Sequence, residues 1–212
     1  MLKCIFNAIL KRKFYSPYFW EKRYQNGGNS GEGSYGILAE FKAKVINTFI
    51  EDNDIGAIAE FGCGDGNQMR LFQVKEYTGY DISYKAIELC KQYNLLNHFF
   101  YHLNDYKKEK YELVLSLDVI YHLIEDDIFE KYMKTIFSAS DKFICIYSTN
   151  YEKTTAIHVR HRKFTDFILK NFPEWTLIKF VENEYKEKTE CDFYFFQKNN
   201  GEKNACKNKI VY

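Results

Sequence analysis

Ile58-Ala59-Glu60-Phe61-Gly62-Cys63-Gly64-Asp65-Gly66-Asn67-Gln68 is the stretch whose reading decides the fold. An apolar run ends in a carboxylate, and three glycines then follow at alternate positions. Further on, a second apolar run, Tyr77-Thr78-Gly79-Tyr80-Asp81, ends in another acid. Strand, glycine turn, helix, strand and acid is the order in which an open parallel sheet grips a nucleoside-like ligand. The glycines let the backbone turn tightly and approach the ligand. The second acid accepts hydrogen bonds from ribose hydroxyls.

Working outward, the same alternation of apolar runs and turns predicts an α/β domain. Tyr15 to Tyr24 reads as a short helix with Ser16 as N-cap and Pro17 in its first turn. Residues 25–36 are rich in Gly, Ser and Asn, and read either as a plain linker or as a flap over a ligand. Ile37, Leu38, Phe41, Val45, Ile46 and Phe49 recur at helical spacing. Strands are expected at Ile55 to Phe61, Tyr77 to Ile82, His98 to Leu103, Tyr111 to Val119 and Lys142 to Ser148. A helix is expected to start within Asn67 to Phe72, and another after Ser83 as its cap. Glu125-Asp126-Asp127 opens a helix at its positive dipole end. Phe164 to Asn171 forms the last helix. Trp175 to Val181 and Cys191 to Gln197 are joined without a helix and are expected to be antiparallel. Lys198 to Tyr212 is polar and is expected to fray.

The bulk properties narrow the function. The 212 residues suffice for one domain with a full core. A net charge of +1 gives no long-range reason to expect nucleic acid or a membrane as partner. The many Tyr and Phe carry no functional weight, since a codon bias towards Asn, Lys, Ile, Phe and Tyr produces the same excess. Cys4, Cys63, Cys90, Cys145, Cys191 and Cys206 lie far apart with no Cys-x-x-Cys pair, so no metal site is expected. Reduced thiols and a cytoplasmic location fit best. Met1 to Leu10 is apolar, with Lys11-Arg12-Lys13 behind it, the reverse of a secretory signal, and reads as an amphipathic first helix packed on the domain in preference to a membrane anchor. No run is long enough to be read as a membrane span.

The glycine spacing separates two ligand classes. A dinucleotide fingerprint, Gly-x-Gly-x-x-Gly, would need glycine where Asn67 stands. Here the third glycine comes one residue early, and Glu60 precedes the turn. Glu60-Phe61-Gly62-Cys63-Gly64-Asp65-Gly66 resembles the first motif of class I S-adenosylmethionine-dependent methyltransferases. The resemblance continues through Tyr80-Asp81-Ile82-Ser83 and Ser116-Leu117-Asp118-Val119-Ile120-Tyr121-His122-Leu123, and covers roughly residues 36–197.

The resemblance implies a Rossmann-like αβα sandwich, with a seven-stranded sheet in the order 3-2-1-4-5-7-6 and strand 7 antiparallel. Residues 1–35 would then form a helical cap and flap, 36–197 the catalytic domain, and 198–212 a tail. S-adenosylmethionine would be the donor and S-adenosylhomocysteine the product. Glu60, Phe61, Gly62, Cys63 and Gly64 would cradle the methionine and ribose portions. Asp81 would hold the ribose, Ile82 would pack on the adenine, Asp105 would reach the adenine amino group with Tyr106 beside it, and Asp118 would border the donor. Arg23 or Tyr24, in the helix before the flap, would bind the donor carboxylate.

The acceptor is sought beyond the carboxyl ends of strands 4 and 5. Tyr121 and His122 follow strand 4, and His158-Val159-Arg160-His161-Arg162-Lys163 clusters basic groups before a helix. His122, His158 and His161 are candidate bases for a hydroxyl acceptor. Arg160 and Arg162 are candidate forks for a carboxylate or phosphate, unless the cluster is a solvated turn. The segments around His122 and His158 resemble enzymes of bacterial capsule and surface-glycan synthesis, including those that methylate a phosphoramidate. That implies a small anionic acceptor. Two other readings are a methyltransferase acting on RNA or protein and a non-catalytic cofactor-binding subunit. The oligomeric state is not legible.

Overall fold

The computed structural model describes residues 14–199. The expected first helix at Met1 to Leu10 and the chain beyond Asn199 lie outside that range. A single mixed sheet of seven strands forms the middle layer. Its strands are β1 (Ala57–Phe61), β2 (Glu76–Asp81), β3 (His98–His102), β4 (Tyr111–Leu117), β5 (Ser140–Ser148), β8 (Trp175–Val181) and β9 (Asp192–Lys198). Their order is β3-β2-β1-β4-β5-β9-β8, and β9 runs antiparallel to both neighbours. This is the expected topology, with β8 and β9 as the sixth and seventh strands. A separate hairpin, β6 (Lys153–Ala156) and β7 (Val159–His161), stands outside the sheet. Sequence patterning left this hairpin as a basic turn, because its strands are too short and too polar to show a period of two.

The helices are α1 (Ser16–Gln25), α2 (Gly36–Asp52), α3 (Tyr84–Lys91), α4 (Asp126–Ala139) and α5 (Phe164–Asn171). Side chains alternate across a strand, so each strand feeds two cores. Ile58, Leu113 and Phe195 pack with Phe41 and Phe49 of α2 and Ile87 of α3. Ala59, Phe61, Val114 and Ile146 pack with Met133 of α4 and Ile168 of α5 on the other face. Phe49 stacks on Phe195 at 4.3 Å, and Phe137 on Phe172 at 4.2 Å.

Two local expectations are corrected. The segment after the glycines holds only a 3-10 turn, Met69–Leu71, and is extended again at Phe72. Only nine residues separate Gly66 from Glu76, too few for a helix to run back along the sheet and turn into β2. Ser16 is not the N-cap of α1, since the helix starts on it and Tyr15 precedes it in extended conformation. The Ser16 hydroxyl instead donates to Glu125 Oε2 at 2.5 Å, and its amide donates to Oε1 at 2.9 Å. Ser83 caps α3 as expected, accepting from the Ala86 amide at 3.1 Å. No described helix is long and apolar enough to cross a membrane.

Candidate functional site

A cavity of about 510 Å3 opens at the carboxyl ends of β1, β2 and β4, beneath α1. Its floor is the glycine turn. Gly62 and Gly64 sit at φ of 90° and 57°, the left-handed region where a side chain is strained. A Cβ on Gly62 would overlap Val119 Cγ2, and one on Gly64 would overlap Ser30 Oγ. The loop is therefore glycine for conformation and for clearance together.

Two buried carboxylates face the cavity. Asp81 accepts from the Gly64 amide at 2.9 Å and the Ser83 amide at 2.8 Å. Burial nevertheless raises its pKa to about 6, because desolvation outweighs those hydrogen bonds. Glu60 accepts from the Tyr77 hydroxyl at 2.6 Å. Burial raises its pKa to about 7 even with the Lys42 ammonium nearby. Both groups are poised to be ionised by a cationic ligand. Beside them, Gln68 donates through Nε2 to Ala39 O at 3.0 Å, while its buried Oε1 has no partner in the protein. A buried acceptor at a cavity wall without a donor is expected to meet one from a ligand or water.

The far wall carries Lys42, Asp118 and His122. Asp118 directly follows β4 at φ 59°, an uncommon conformation for a residue with a side chain. It accepts from Lys42 Nζ at 2.6 Å and from the Tyr121 hydroxyl at 2.9 Å. His122 places Nδ1 3.0 Å from the His158 carbonyl oxygen. A carbonyl only accepts, so Nδ1 carries the proton and Nε2 keeps its lone pair. Burial lowers the His122 pKa to about 4, so the ring is neutral near pH 7.

The cover comes from the N-terminal segment. The loop between α1 and α2 is fixed to the glycine turn through Asp65, which accepts from the Ser30 amide and the Tyr35 hydroxyl, each at 2.8 Å. Trp20 packs edge-on against His122, with their ring centroids 4.8 Å apart. Glu21 reaches the Ser83 hydroxyl at 2.6 Å.

The remaining expected residues divide clearly. Tyr24, Cys63, Ile82 and Tyr106 line the cavity. Tyr24 shares a hydrogen bond with Ser30 at 3.0 Å. Phe61 turns its ring to the opposite face, 4.9 Å from Tyr80, leaving only its backbone near the turn. Asp105 is exposed and off the cavity wall, where Asn104 stands instead. Arg23 donates to Asn29 O at 2.6 Å on the outer side of α1. Tyr121 is committed to Asp118. His158 stacks its ring on Phe19 at 5.1 Å, so its carbonyl, not its imidazole, serves the site. His161 has both ring nitrogens on threonines, Thr149 at 2.7 Å and Thr155 at 3.1 Å.

Arg160 and Arg162 do not reach the cavity either. Arg160 donates to Ile124 O at 3.0 Å, and Arg162 donates to Leu123 O and, at 2.9 Å, to Ile124 O. Both pair with Asp126, at 2.8 and 3.1 Å. The cluster behaves neither as an open anion fork nor as a solvated turn. Residues the sequence reading did not single out include Lys42 and Gln68. Lys42 carried a signal: it lies four residues from Leu38 and from Ile46 in an otherwise apolar stripe, and it is 0% exposed.

A model of the methyltransferase-domain family matches residues 37–178. The chain belongs to that family. The matched region of this methyltransferase runs from α2 into β8 and contains the glycine turn, Asp81 and His122. Its fold is similar to magnesium protoporphyrin IX methyltransferase from Synechocystis with bound SAM, at 14% identity and a TM-score of 0.65, covering 90% of this chain and 100% of that one. It is also similar to the N-methyltransferase NodS from Bradyrhizobium japonicum in complex with S-adenosyl-L-homocysteine, at 13% identity and a TM-score of 0.65, covering 86% and 98%. An S-adenosylmethionine-dependent methyltransferase from Clostridium acetobutylicum aligns at 13% identity and a TM-score of 0.57, covering 74% and 90%. A search of curated proteins returned no significant sequence match.

Proposed function

We propose that this methyltransferase uses S-adenosylmethionine as donor and methylates a hydroxyl of a small polar acceptor. The observation that carries the donor assignment is the floor of the cavity. Two positive-φ glycines, the buried Asp81 and Glu60 carboxylates and the unpartnered Gln68 Oε1 converge there. The chemistry of this set fits the donor: carboxylates for ribose hydroxyls and a cationic methionine end, a backbone approach without side chains, and an acceptor oxygen for an ammonium. Asp81 would hold the ribose, Ile82 and Tyr106 would border the adenine, and Glu60 and Gln68 would face the methionine portion.

When bound, the donor supplies an activated methyl group on a sulfonium with a good leaving group. The protein's tasks are then to place the acceptor oxygen in line and to receive its proton. His122 Nε2 receives that proton. His122 lines the cavity, and its weak basicity suffices, because the proton becomes strongly acidic as the new carbon–oxygen bond forms. Trp20 and α1 exclude water above the ring.

The finer reading, a phosphate- or phosphoramidate-bearing acceptor of capsule or surface-glycan synthesis, rests on the sequence resemblance. Arg160 and Arg162 no longer support it, since both guanidinium groups are held by the protein. Lys42 is paired to Asp118, and three carboxylates border the cavity against one further cation, the exposed Lys131 at its rim. That balance favours an uncharged hydroxyl over an anionic one. Calorimetry with S-adenosylhomocysteine tests the donor assignment: the native protein binds, and Asp81→Ala weakens binding at least tenfold. No binding to the native protein removes the assignment. A transfer screen against neutral sugar hydroxyls, phosphoramidates and RNA then decides the acceptor.

A further inference from the structure

The hairpin β6–β7 adds nothing to either hydrophobic core of the sheet, yet three of its polar groups converge on one loop. That loop, between β4 and α4, carries His122. The His158 carbonyl accepts a hydrogen bond from His122 Nδ1–H. Arg160 and Arg162 grip the carbonyls of Leu123 and Ile124 and close on Asp126. Arg162 is only 5% exposed, with its guanidinium 4.6 Å from the Phe129 ring. Burying a cation is unfavourable unless its donors are satisfied, so this placement is justified only by what it holds. What it holds is irregular backbone. The helix α4 has no side-chain cap of its own, because Glu125, at the N-cap position, turns its carboxylate to Ser16.

The loop is thus fixed at two ends. At the start, Asp118 is set by its left-handed backbone and by the hydrogen bond its amide N–H donates to Tyr147 O at 3.0 Å. At the finish, the two arginines hold residues 123–126. His122 lies between, and its ring orientation depends on both anchors. An imidazole is aimed and kept in one tautomer by the partner of its other nitrogen.

We propose that Arg160 and Arg162 are positioning residues that, together with the His158 carbonyl, lock His122 in the Nδ1–H tautomer with Nε2 directed into the cavity. The inference rests on the reading of His122 as proton acceptor, but its first test does not need turnover. In protein carrying 15N-histidine, the His122 signal, assigned by its loss in His122→Gln, reports the tautomer directly. Wild type shows the Nδ1–H form. Arg162→Lys keeps the charge but loses the planar fork that reaches both carbonyls and Asp126 together, and it shifts His122 towards a tautomer mixture. With an accepted substrate, kcat falls between about ten- and a hundredfold in this variant, the effect of a small misplacement of a reacting group. The S-adenosylhomocysteine Kd stays within twofold. Arg160→Lys gives a smaller change in the same direction. A wild-type Nε2–H tautomer overturns the proposal. So does an Arg162→Lys protein with native tautomer and native kcat, even if its melting temperature drops. A locked tautomer in a protein that transfers no methyl group leaves the positioning role standing and removes the proposed function instead.

Discussion

Lys42 Nζ lies 2.6 Å from Asp118 Oδ2, and the lysine side chain is almost wholly screened from solvent. The pair joins the middle of α2 to the end of β4, directly beside His122. Its ammonium also lies 5.2 Å from the Tyr147 ring. Removing one partner of a buried pair strands the other, which typically costs roughly 3–5 kcal/mol. Lys42→Met is therefore expected to lower the unfolding free energy by about 3 kcal/mol on that scale. Adding Asp118→Asn recovers part of the loss, because the stranded carboxylate is gone. Urea denaturation of the single and double variants measures both. Additive losses would show that the two side chains do not interact.

The glycine turn gives a second expectation. At Gly64 a methyl group meets Ser30 Oγ and the backbone is left-handed, so Gly64→Ala carries a steric and a conformational penalty. The conformational part is roughly 1–2 kcal/mol and is not removable by changing neighbours. The steric part is. Ser30→Gly in the Gly64→Ala background restores some stability and some affinity for S-adenosylhomocysteine. An unimproved double variant would show that Ser30 is not the obstacle.

Donor binding is expected to depend on pH through the two floor carboxylates. Glu60 and Asp81 titrate near 7 and 6 in the free protein. A sulfonium ligand favours their ionised forms, so binding releases protons and affinity rises with pH up to about 7.5. S-adenosylhomocysteine, which lacks the sulfonium charge but keeps the ammonium, shows the same sign with a shallower slope. Calorimetry in buffers of different ionisation enthalpy counts the protons. Zero proton release at pH 6 contradicts the assignment.

Stability carries the opposite and the matching signs at once. The raised carboxyl values mean that Glu60 and Asp81 stabilise the fold fully below the unfolded carboxyl range near 4, and that this stabilisation is lost as pH rises through 6 to 7. His122 is depressed to about 4, so its contribution is present above about 6.5 and lost as pH falls towards 4. Glu60→Gln should flatten the upper part of the stability profile and His122→Gln the lower part. Thermal melts from pH 4 to 8 compare them, and parallel profiles for all three proteins would refute both shifts.

Besides Asp65, which holds its loop, the N-terminal cover is tied down by the carboxylates of Glu125 and Glu21. Glu125→Ala removes two bonds to Ser16, and Glu21→Ala removes the bond to Ser83. Either substitution is expected to raise amide exchange in residues 16–25 and leave β1 and β4 protected. Exchange that rises equally in the sheet would mean that the segment is part of the core.

The sheet was legible because its strands are apolar runs of ordinary length, separated by recognisable turns. The glycine turn at the cavity floor was legible because backbone conformation writes itself as glycine at Gly62, Gly64 and Gly66. Side chains whose role depends on distant partners were harder to read. Arg160 and Arg162 have the composition of an anion site, and only their proximity to the carbonyls of Leu123 and Ile124 reveals what they hold. His161 reads as a base until Thr149 and Thr155 are found on its nitrogens. Asp105 occupies the expected place in sequence, but the 3-10 turn Leu103–Asp105 presents Asn104 to the cavity instead. Lys42 was overlooked because a lysine in a helix is ordinarily solvated, although its place in the stripe was visible.

Ser83 bonds to both sides of the cavity. Its amide holds Asp81, its hydroxyl caps α3, and the same hydroxyl is the anchor for Glu21 of α1. Whatever occupies the ribose position therefore shares a residue with the latch above it. Lifting the cover requires three small hydrogen-bond clusters to open, at Glu21, at Asp65 and at Glu125, while the sheet stays intact. Removing the half-buried carboxylate of Glu21 or Glu125 is therefore expected to shorten the residence time of a bound product while leaving the groups at the cavity floor unchanged.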